Sequence, residues 1–377
     1  MLARRVICII VVCYAALCAI LSVFLGELAF RPQRVVVTER QLAETTASRF
    51  GAALRDVSVP ASDGSRLQGW FANPAKANGD AVILLHGVGD NRQGMMGFAE
   101  LFLSNGFTVL VPDSRAQGES GGDFPTYGLK ESDDVHRWFD WLVMQGHSKC
   151  VFGMGESMGA AIVLQAVKTT PFCAVVAESS FASFRQIAYV RVGQFFHTEP
   201  WLGSVALRPA VELAFLYGRL TRGVNLADAS PERSVVGSRV PIFLIHGLAD
   251  DNIPFRQSER IRAHDPADIV LWEVPLAGHC GAVNAAGQEF NTRVLGWLPR
   301  MTVDTPLRQP GHDRPPRSVS LSIPVRQSPA SLPRSNRRIE KAVLAVARYL
   351  RKTQPCGPTS VSCFSRVCRW FLGHIQL

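Results

Sequence analysis

The 377-residue sequence predicts an α/β domain with a mainly parallel central sheet, preceded by one transmembrane helix and followed by a basic tail. Short apolar segments alternate with helical stretches through the middle of the chain, which indicates the α/β domain. An uncharged run near the N-terminus indicates the transmembrane helix. We therefore predict an anchor at 1–30, the α/β domain at 31–300, a disordered Pro/Arg/Ser-rich linker at 301–336 and a Cys-containing basic tail at 337–377.

Charge is distributed unequally along the chain, whose formal net charge is +9. Residues 301–377 hold 13 Lys and Arg against 3 Asp and Glu, whereas residues 1–300 hold 27 against 28. Because the main body is close to neutral, nucleic-acid binding by it is excluded as a first hypothesis. The nine cysteines include no pair with CxxC spacing, which disfavours a zinc finger or a thioredoxin-like redox motif.

The N-terminal segment has the length of a membrane span. No residue from Val6 to Leu25 is charged, and twenty helical residues cover the ~30 Å hydrocarbon core of a bilayer. A cleaved signal peptide and a buried helix of a soluble protein are the alternatives. The nearest small-residue cleavage site follows Ala29 and is a poor match, since Glu27 occupies its upstream specificity position. We therefore favour an uncleaved, single-pass anchor.

The orientation of this anchor follows from the basic residues around it. Arg4 and Arg5 precede the span and favour a cytoplasmic N-terminus, which predicts an extracytoplasmic α/β domain. Arg31, Arg34 and Arg40 on the other side weaken this asymmetry.

The strands of the domain are predicted from apolar runs of the kind that helices cover on both faces. A hairpin turn at Asp63-Gly64 separates two further extended segments. The predicted strands are Arg55–Pro60, Arg66–Phe71, Ala81–His86, Phe107–Pro112, Cys150–Met154, Ala174–Ala177, Pro241–His246 and Ile269–Val274. Helices are predicted at Glu131–Gln145 and Met158–Lys168, and helices at about 181–240 should cap one end of the sheet.

The strongest functional motif is the turn Gly155-Glu156-Ser157-Met158-Gly159, which lies between an apolar strand and an Ala-rich helix. A serine nucleophile on such a turn needs small neighbours, because the tight backbone leaves no room for side chains at the two glycines. The N-terminus of the next helix also directs its N–H groups and positive dipole end towards developing negative charge. We predict that Ser157 is a catalytic nucleophile.

A serine nucleophile needs a base and a carboxylate that orients the base. One predicted strand ends in a loop that carries Asp250 and Asp251, and the last predicted strand ends in a loop that carries His279. We predict His279 as the base and one of the two aspartates as its partner. A surface carboxylate and a structural histidine are the alternatives.

An oxyanion also requires a pair of N–H donors. The segment His86-Gly87-Val88 follows a strand and can direct a backbone N–H into the site. We predict Val88 and Met158, the residue after the nucleophile, as the oxyanion hole. His86 is predicted to orient the loop.

These segments, in this order, resemble the α/β-hydrolase superfamily, in particular its serine aminopeptidase and prolyl-oligopeptidase-like branch. The resemblance covers about 250 residues and reaches neither the anchor nor the tail. It rests on DGSRLQGWF at 63–71, HGVGDNR at 86–92, DSRAQGES at 113–120, GESMG at 155–159, HGLADDNIP at 246–254 and AGHC at 277–280. In the third motif Ala116 replaces the usual glycine.

The resemblance implies an α/β-hydrolase fold and a Ser157–Asp250–His279 triad. Its pattern selects Asp250 rather than Asp251, because Ile253-Pro254 sets the register. Some superfamily members place the acid at the position of Glu178, which is the alternative. Asp113 and Arg115 are expected to be structural.

The function implied is that of a serine hydrolase that cleaves an ester, thioester or amide bond through an acyl-enzyme, with no metal or cofactor. Cap aromatics favour an acyl or other apolar substrate, although core packing explains most of them equally well; they are Phe184, Phe195, Phe196, Trp201, Phe215 and Tyr217. An acyltransferase with the same triad and a non-catalytic, membrane-tethered binding protein remain alternatives.

Two expectations concern cysteines and the tail. Cys150 and Cys173 each open a strand, so they form either a disulfide or two buried thiols; Cys280 is expected to be a packing residue. Residues 337–352 form a predicted basic amphipathic helix, which suggests contact with an anionic membrane surface. A helix docked on the domain, or an extension without a role, is the alternative.

Overall fold

The computed structural model describes residues 1–146, 149–196, 202–265 and 269–298, without the side chains of residues 202 and 203. The predicted linker at 301–336 and the basic tail at 337–377 lie outside the described residues, so both stay predictions.

The core of the domain is an eight-stranded sheet with the strand order β1-β2-β4-β3-β5-β6-β7-β8. The β1–β2 and β2–β4 pairs are antiparallel, and every other pair is parallel. The strands are β1 (Arg55–Pro60), β2 (Arg66–Ala72), β3 (Ala81–Leu85), β4 (Thr108–Pro112), β5 (Val151–Glu156), β6 (Ala174–Glu178), β7 (Ile242–Gly247) and β8 (Ile269–Val274). Each predicted strand is present, and its ends agree to within two residues.

Helices cover both faces of this sheet. The α-helices of the described residues, including those of the anchor and the cap, are α1 (Leu2–Phe30), α2 (Arg40–Ser48), α3 (Met96–Ser104), α4 (Glu131–Met144), α5 (Met158–Ala166), α6 (Phe184–Phe195), α7 (Arg208–Arg222), α8 (Pro231–Ser234), α9 (Arg256–Ala263), α10 (Ala282–Ala286) and α11 (Gln288–Trp297). Along β3, Ile83 and Leu85 face one buried apolar cluster while Val82 and Leu84 face the other. This alternation explains the continuously apolar strands, since neither face meets water.

A helical cap lies between β6 and β7, at the edge of the sheet where the parallel strands end. It comprises α6, a π-helical turn at Leu202–Ala206, α7, a 3₁₀ turn at Leu226–Asp228 and α8. The sequence predicted helices here. The catalytic candidates follow β5, β7 and β8, so the cap and these loops occupy the same end of the sheet.

The N-terminal helix α1 is long and apolar enough to cross a membrane. Its second half packs against the cap, where Cys18, Ser22, Gly26 and Phe30 form a buried stripe. The four residues are spaced by four, which places them on one face of the helix. The second half of helix α1 is therefore packed as part of the domain.

Cys150 and Cys173 form a disulfide, with 5.7 Å between their Cα atoms. Each directly precedes one of two neighbouring parallel strands, β5 and β6. The disulfide therefore joins the amino ends of these strands, at the opposite edge of the sheet from Ser157.

Candidate active site

Ser157 lies on a sharply bent turn between β5 and α5. Its φ is +52° and its ψ is −112°, a backbone conformation that costs energy in any residue with a side chain. A Cβ at Gly159 would lie 2.1 Å from the Leu85 carbonyl oxygen, and one at Gly155 would lie 2.3 Å from the carbonyl carbon of Gly159. Glycine at both positions is therefore required for the turn to close, and the turn presents the serine at the strand's end.

The structure brings Ser157, His279 and Asp250 together in one hydrogen-bonded chain. The distance from Ser157 Oγ to His279 Nε2 is 3.0 Å, and the distance from His279 Nδ1 to Asp250 Oδ2 is 2.9 Å. A carboxylate only accepts hydrogen bonds, so Nδ1 of His279 carries the ring proton and donates a hydrogen bond to Asp250. Nε2 is then the free acceptor for the Ser157 hydroxyl, as a general base requires.

The carboxylate of Asp250 is held by groups other than His279. Its Oδ1 accepts the backbone N–H groups of Asn252 and Ile253, at 3.0 Å and 2.8 Å. Burial by itself would raise the pKa of Asp250, but hydrogen bonds from His246, His279 and Ile253 hold this pKa below its ordinary value. Asp250 is thus ionised at neutral pH. Asp251 is exposed, and the hydrogen bonds and ion pair of His279 go to Ser157 and Asp250 instead.

Glu178, the alternative acid, is buried but bonded elsewhere: its Oε1 accepts the Ala282 N–H at 2.9 Å. Its Oε2 has no hydrogen-bond partner among the described residues. Burial raises the pKa of Glu178 to about 7 and that of Glu156 to about 8, and their mutual repulsion adds to the shift in Glu156. The two are directly paired across β5 and β6, so a pair of protonatable carboxyls lies beside Ser157.

The two predicted oxyanion donors, Val88 and Met158, lie close to Ser157. Met158 begins α5, and Val88 follows Gly87, where a Cβ would lie 3.5 Å from Ser157 Cβ. Within the described part of the chain, no hydrogen bond is formed by the N–H of Val88 or by that of Met158. The geometry leaves both groups free to donate to a substrate oxygen.

The loop that carries Val88 is tied to the loop after β4. His86 is fully buried, and its Nε2 accepts the Ser114 N–H at 3.0 Å, in agreement with a loop-orienting role. Asp113 accepts the Arg92 N–H at 2.7 Å and also bonds the Arg92 guanidinium. The sequence predicted Asp113 as structural but missed Arg92, its buried partner, because nothing local distinguishes this arginine from a surface one.

Arg115 also has a structural environment. Its guanidinium donates two hydrogen bonds to Asp134, at 2.6 Å and 2.7 Å, and one to Asp63 at 2.8 Å. It therefore connects the loop after β4 to α4 and to the β1–β2 hairpin. Ala116, which stands where the resemblance expects glycine, adopts a φ of +58°.

A further contact, which the sequence did not indicate, involves the segment between α1 and α2. The Asn91 side chain donates to the Val35 carbonyl at 3.2 Å, and Gln93 accepts the N–H groups of Thr38 and Glu39. Arg34 donates to the carbonyls of Gly118 and Ser120, both at 2.7 Å. These contacts hold residues 34–39 against the loop that follows Val88 and against the loop after β4.

The cap aromatics mostly serve packing. Phe184 contacts Tyr127, Phe181 and Phe215, and the Tyr217 hydroxyl donates to Glu27 of α1. Trp201 lies outside the described residues. Among the described residues, no cluster of three or more His, Cys, Asp or Glu side chains is arranged to hold a metal ion.

Cys280 follows His279 directly and has a φ of +50°. Its N–H donates to Ser179 Oγ at 3.1 Å, and burial raises the pKa of its thiol far above the ordinary value. A thiol that stays protonated is a poor nucleophile, which agrees with a packing role.

A mainly parallel sheet covered by helices on both faces, with a serine on the turn after its middle strand, defines the α/β-hydrolase fold. Residues 82–293 match the family model described as "Alpha/beta hydrolase family", and the chain belongs to this family. The solved esterase Pf2001 of Pyrococcus furiosus has the same fold, with a TM-score of 0.56 and 25% identity over 72% of this chain and 99% of the esterase. The predicted fold class is confirmed, and the chain is a hydrolase similar to esterases.

Bacterial relatives share most of their length with this chain. YqkD of Bacillus subtilis is 29% identical over 254 residues, which are 66% of this chain and 80% of YqkD. YfhR of Escherichia coli is 27% identical over 238 residues, which are 60% of this chain and 73% of YfhR.

Proposed function

We propose that the protein is a serine hydrolase that cleaves an ester, thioester or amide bond, with Ser157 as nucleophile, His279 as base and Asp250 as the orienting acid. The observation that carries this proposal is the position of the His279 ring, which bridges the Ser157 hydroxyl and the Asp250 carboxylate through its two nitrogens. Similarity to the Pyrococcus furiosus esterase favours an ester within this set.

The mechanism follows from the hydrogen bonds. His279 Nε2 takes the proton of Ser157 as Oγ attacks the carbonyl carbon, and the imidazolium is stabilised by ionised Asp250. The N–H groups of Val88 and Met158 donate to the oxyanion of the tetrahedral intermediate. His279 then protonates the leaving group, which yields the acyl-enzyme. In the second half His279 deprotonates water as it attacks the acyl carbon, and the imidazolium then returns this proton to Ser157 Oγ as the acid is released.

We also propose that α1 is retained as a single-pass membrane anchor. The candidate cleavage site after Ala29 lies inside α1, and the Ala29 carbonyl accepts a hydrogen bond from Tyr127 at 2.7 Å. Cleavage there would remove Gly26 and Glu27 from contact with the cap. The Cys150–Cys173 disulfide favours an oxidising compartment for the domain, which agrees with the extracytoplasmic orientation expected from Arg4 and Arg5.

Activity-based labelling tests the catalytic proposal. The full chain, in detergent or nanodiscs, should react with a fluorophosphonate and hydrolyse at least one member of a panel of p-nitrophenyl esters and aminoacyl amides. Ser157→Ala should abolish labelling and lower turnover by several powers of ten, because triad members act as a unit. Ser179→Ala, a change at another buried serine near the site, is the matched control and should keep the label. Labelling that persists in Ser157→Ala would refute the assignment.

A further inference from the structure

The anchor helix α1 has two different faces along its second half. One is the buried stripe that packs on the cap, and the other consists of Ile20, Phe24 and Leu28, which are 68%, 40% and 46% exposed. These three residues are spaced by four and form one apolar stripe. Helix α1 is therefore docked on the domain through one face, while the opposite face of the same helical turns remains apolar and exposed.

The cap contacts α1 well inside the uncharged run. The Tyr14 hydroxyl donates to the Ala206 carbonyl at 2.5 Å. Tyr14 is the ninth residue of the run Val6–Leu25, so it lies ~12 Å along the helix from the start of the run. If the run fills the ~30 Å hydrocarbon core, Ala206 is inside that core too.

The cap turn beside Tyr14 has a composition suited to this depth. Residues 202–207 carry no charge, and Val205 is 67% exposed. The first charged residue after the turn is Arg208, whose side chain is exposed. The turn is π-helical, and its Ala206 carbonyl accepts the Tyr14 hydroxyl.

Charged residues mark the opposite end of the run. Glu27 forms ion pairs with Arg31 at 2.7 Å and with Arg222 of α7 at 3.0 Å, and it accepts the Tyr217 hydroxyl at 2.7 Å. This cluster begins two residues after Leu25. This cluster marks the level at which α1 would pass from the hydrocarbon core to the interface.

The same surface is connected to the catalytic loop through α6. Phe24 of α1 packs on Phe195 with 6.0 Å between ring centroids. One residue before Phe195, Gln194 donates to the Asp251 carbonyl at 2.6 Å, and one turn earlier Arg191 bonds Asn252. One turn of α6, about 6 Å, therefore links the Phe24–Phe195 pair to the loop that carries Asp250.

We propose that lipid of the bilayer covers this surface: the Leu202–Ala206 turn is seated in the membrane beside α1, and the active site opens at the lipid–water interface. This inference rests on the proposed anchoring by α1 and extends it, because an anchor alone would leave the cap in water. The exposed apolar stripe and the depth of Ala206 favour lipid over a second copy of the chain as the occupant.

Spin-label accessibility in nanodiscs tests the proposal with the full chain. A nitroxide amino acid is introduced by amber suppression at one of three apolar positions of similar exposure: Val205 in the cap turn, Ile10 in the free half of α1, and Met144 at the end of α4. Met144 lies at the amino-end edge of the sheet, away from the cap. Collision with oxygen, which concentrates in lipid, is compared with collision with a water-soluble nickel chelate.

We expect the labels at 205 and 10 to collide mainly with oxygen and the label at 144 mainly with nickel. A label at 205 that collides with nickel, while the label at 10 does not, would overturn the seated cap and leave the anchor intact. Nickel collisions at both positions would overturn the cap and the anchor together. A label at 205 shielded from both reagents would indicate a protein partner and also refute the proposal. None of these outcomes depends on catalytic activity.

Discussion

His246 lies 3.3 Å from Asp250, and its Nε2 approaches the same carboxylate oxygen that His279 uses. His246 is fully buried; its Nδ1 lies 2.7 Å from Ser258 Oγ and its Nε2 lies 2.8 Å from the Ile253 carbonyl. Because a carbonyl only accepts, Nε2 carries the proton and Ser258 donates to Nδ1. Asp250, the proposed acid, therefore lies between two imidazoles that approach the same carboxylate oxygen.

Separate substitution of the two neighbouring aspartates tests which of them is the acid that orients His279. Asp250→Asn should lower kcat by about a thousandfold or more, because the amide no longer holds the His279 tautomer or stabilises its positive charge. Asp251→Asn, the matched control, should change kcat by less than about threefold, since surface carboxylates contribute little. Steady-state hydrolysis of the best ester from the panel measures both. A larger loss in Asp251→Asn would show that the register is wrong.

The disulfide makes a prediction about stability. Reduction should destabilise the wild-type domain by ~3 kcal/mol, because the bond closes a loop between residues 23 apart. The corresponding fall in Tm is about 6–12 °C for a domain of this size. The Cys150→Ala/Cys173→Ala double variant should start at the lower Tm and should not respond to reductant. If both thiols react with an alkylating agent before reduction, as judged by mass spectrometry, the bond is absent.

The close approach of α1 and α7 predicts a steric effect at Gly26. A Cβ at this position would lie 2.7 Å from Tyr217 Cδ1, and the Tyr217 ring is held by its bond to Glu27. Gly26→Leu should destabilise the docked helix by about 1–3 kcal/mol, as overpacking does elsewhere, and lower Tm in nanodiscs. Ile20→Leu, on the exposed stripe, should leave Tm unchanged. An equal Tm for Gly26→Leu and for the wild type would mean that α1 is not packed on the cap.

The raised pKa of Glu156 predicts how stability depends on pH. Between its unfolded value of 4.5 and about 8, the folded protein retains a proton that the unfolded chain releases, so stability falls as pH rises through this interval. In Glu156→Gln this part of the fall should disappear, which makes the variant more stable than wild type at pH 9 and similar at pH 5. Tm at the two pH values measures the effect, with the exposed Glu259→Gln as control. If Tm falls equally from pH 5 to pH 9 in the wild type and in Glu156→Gln, the pKa of Glu156 is not raised in the folded protein.

A membrane-seated cap predicts how substrate reaches Ser157. With a long-chain ester in the same nanodisc as the enzyme, dilution by inert lipid at constant bulk ester should lower the rate in proportion to the ester's surface fraction. A short, water-soluble ester should be hydrolysed at an unchanged rate in the same discs, which controls for the enzyme itself. Independence from surface fraction for the long-chain ester would indicate entry from water.

The sheet and the catalytic candidates were predictable because their signals are local. Continuous apolar strands, the glycines around Ser157 and the loop positions of Asp250 and His279 each follow from short segments. Parallel strands then bring the loops to one edge, so the distances among the three residues follow from topology. The choice of Asp250 over Asp251 needed the family pattern, since both residues lie in the same loop.

The remaining features depend on contacts between distant parts of the chain. The pairing of Arg92 with Asp113, and that of Glu27 with Arg222, joins residues whose own neighbourhoods are unremarkable in composition. The docking of α1 on the cap was likewise not predicted, because hydropathy identifies an apolar helix without showing which face packs on protein. The sequence left the cap aromatics open between an apolar substrate and core packing, and Phe184 and Phe215 pack against each other.

Helix α1 continues without a break from Leu2 to Phe30, and its second half is part of the packing of the cap. In a membrane-anchored chain this excludes a swinging domain on a flexible tether. The height of Ser157 above the bilayer is then a constant of the fold, and the enzyme reaches only bonds that lie within a thin layer at that height. Selectivity among membrane components would then depend on the distance between their scissile bond and the bilayer surface, in addition to chemical recognition in the site.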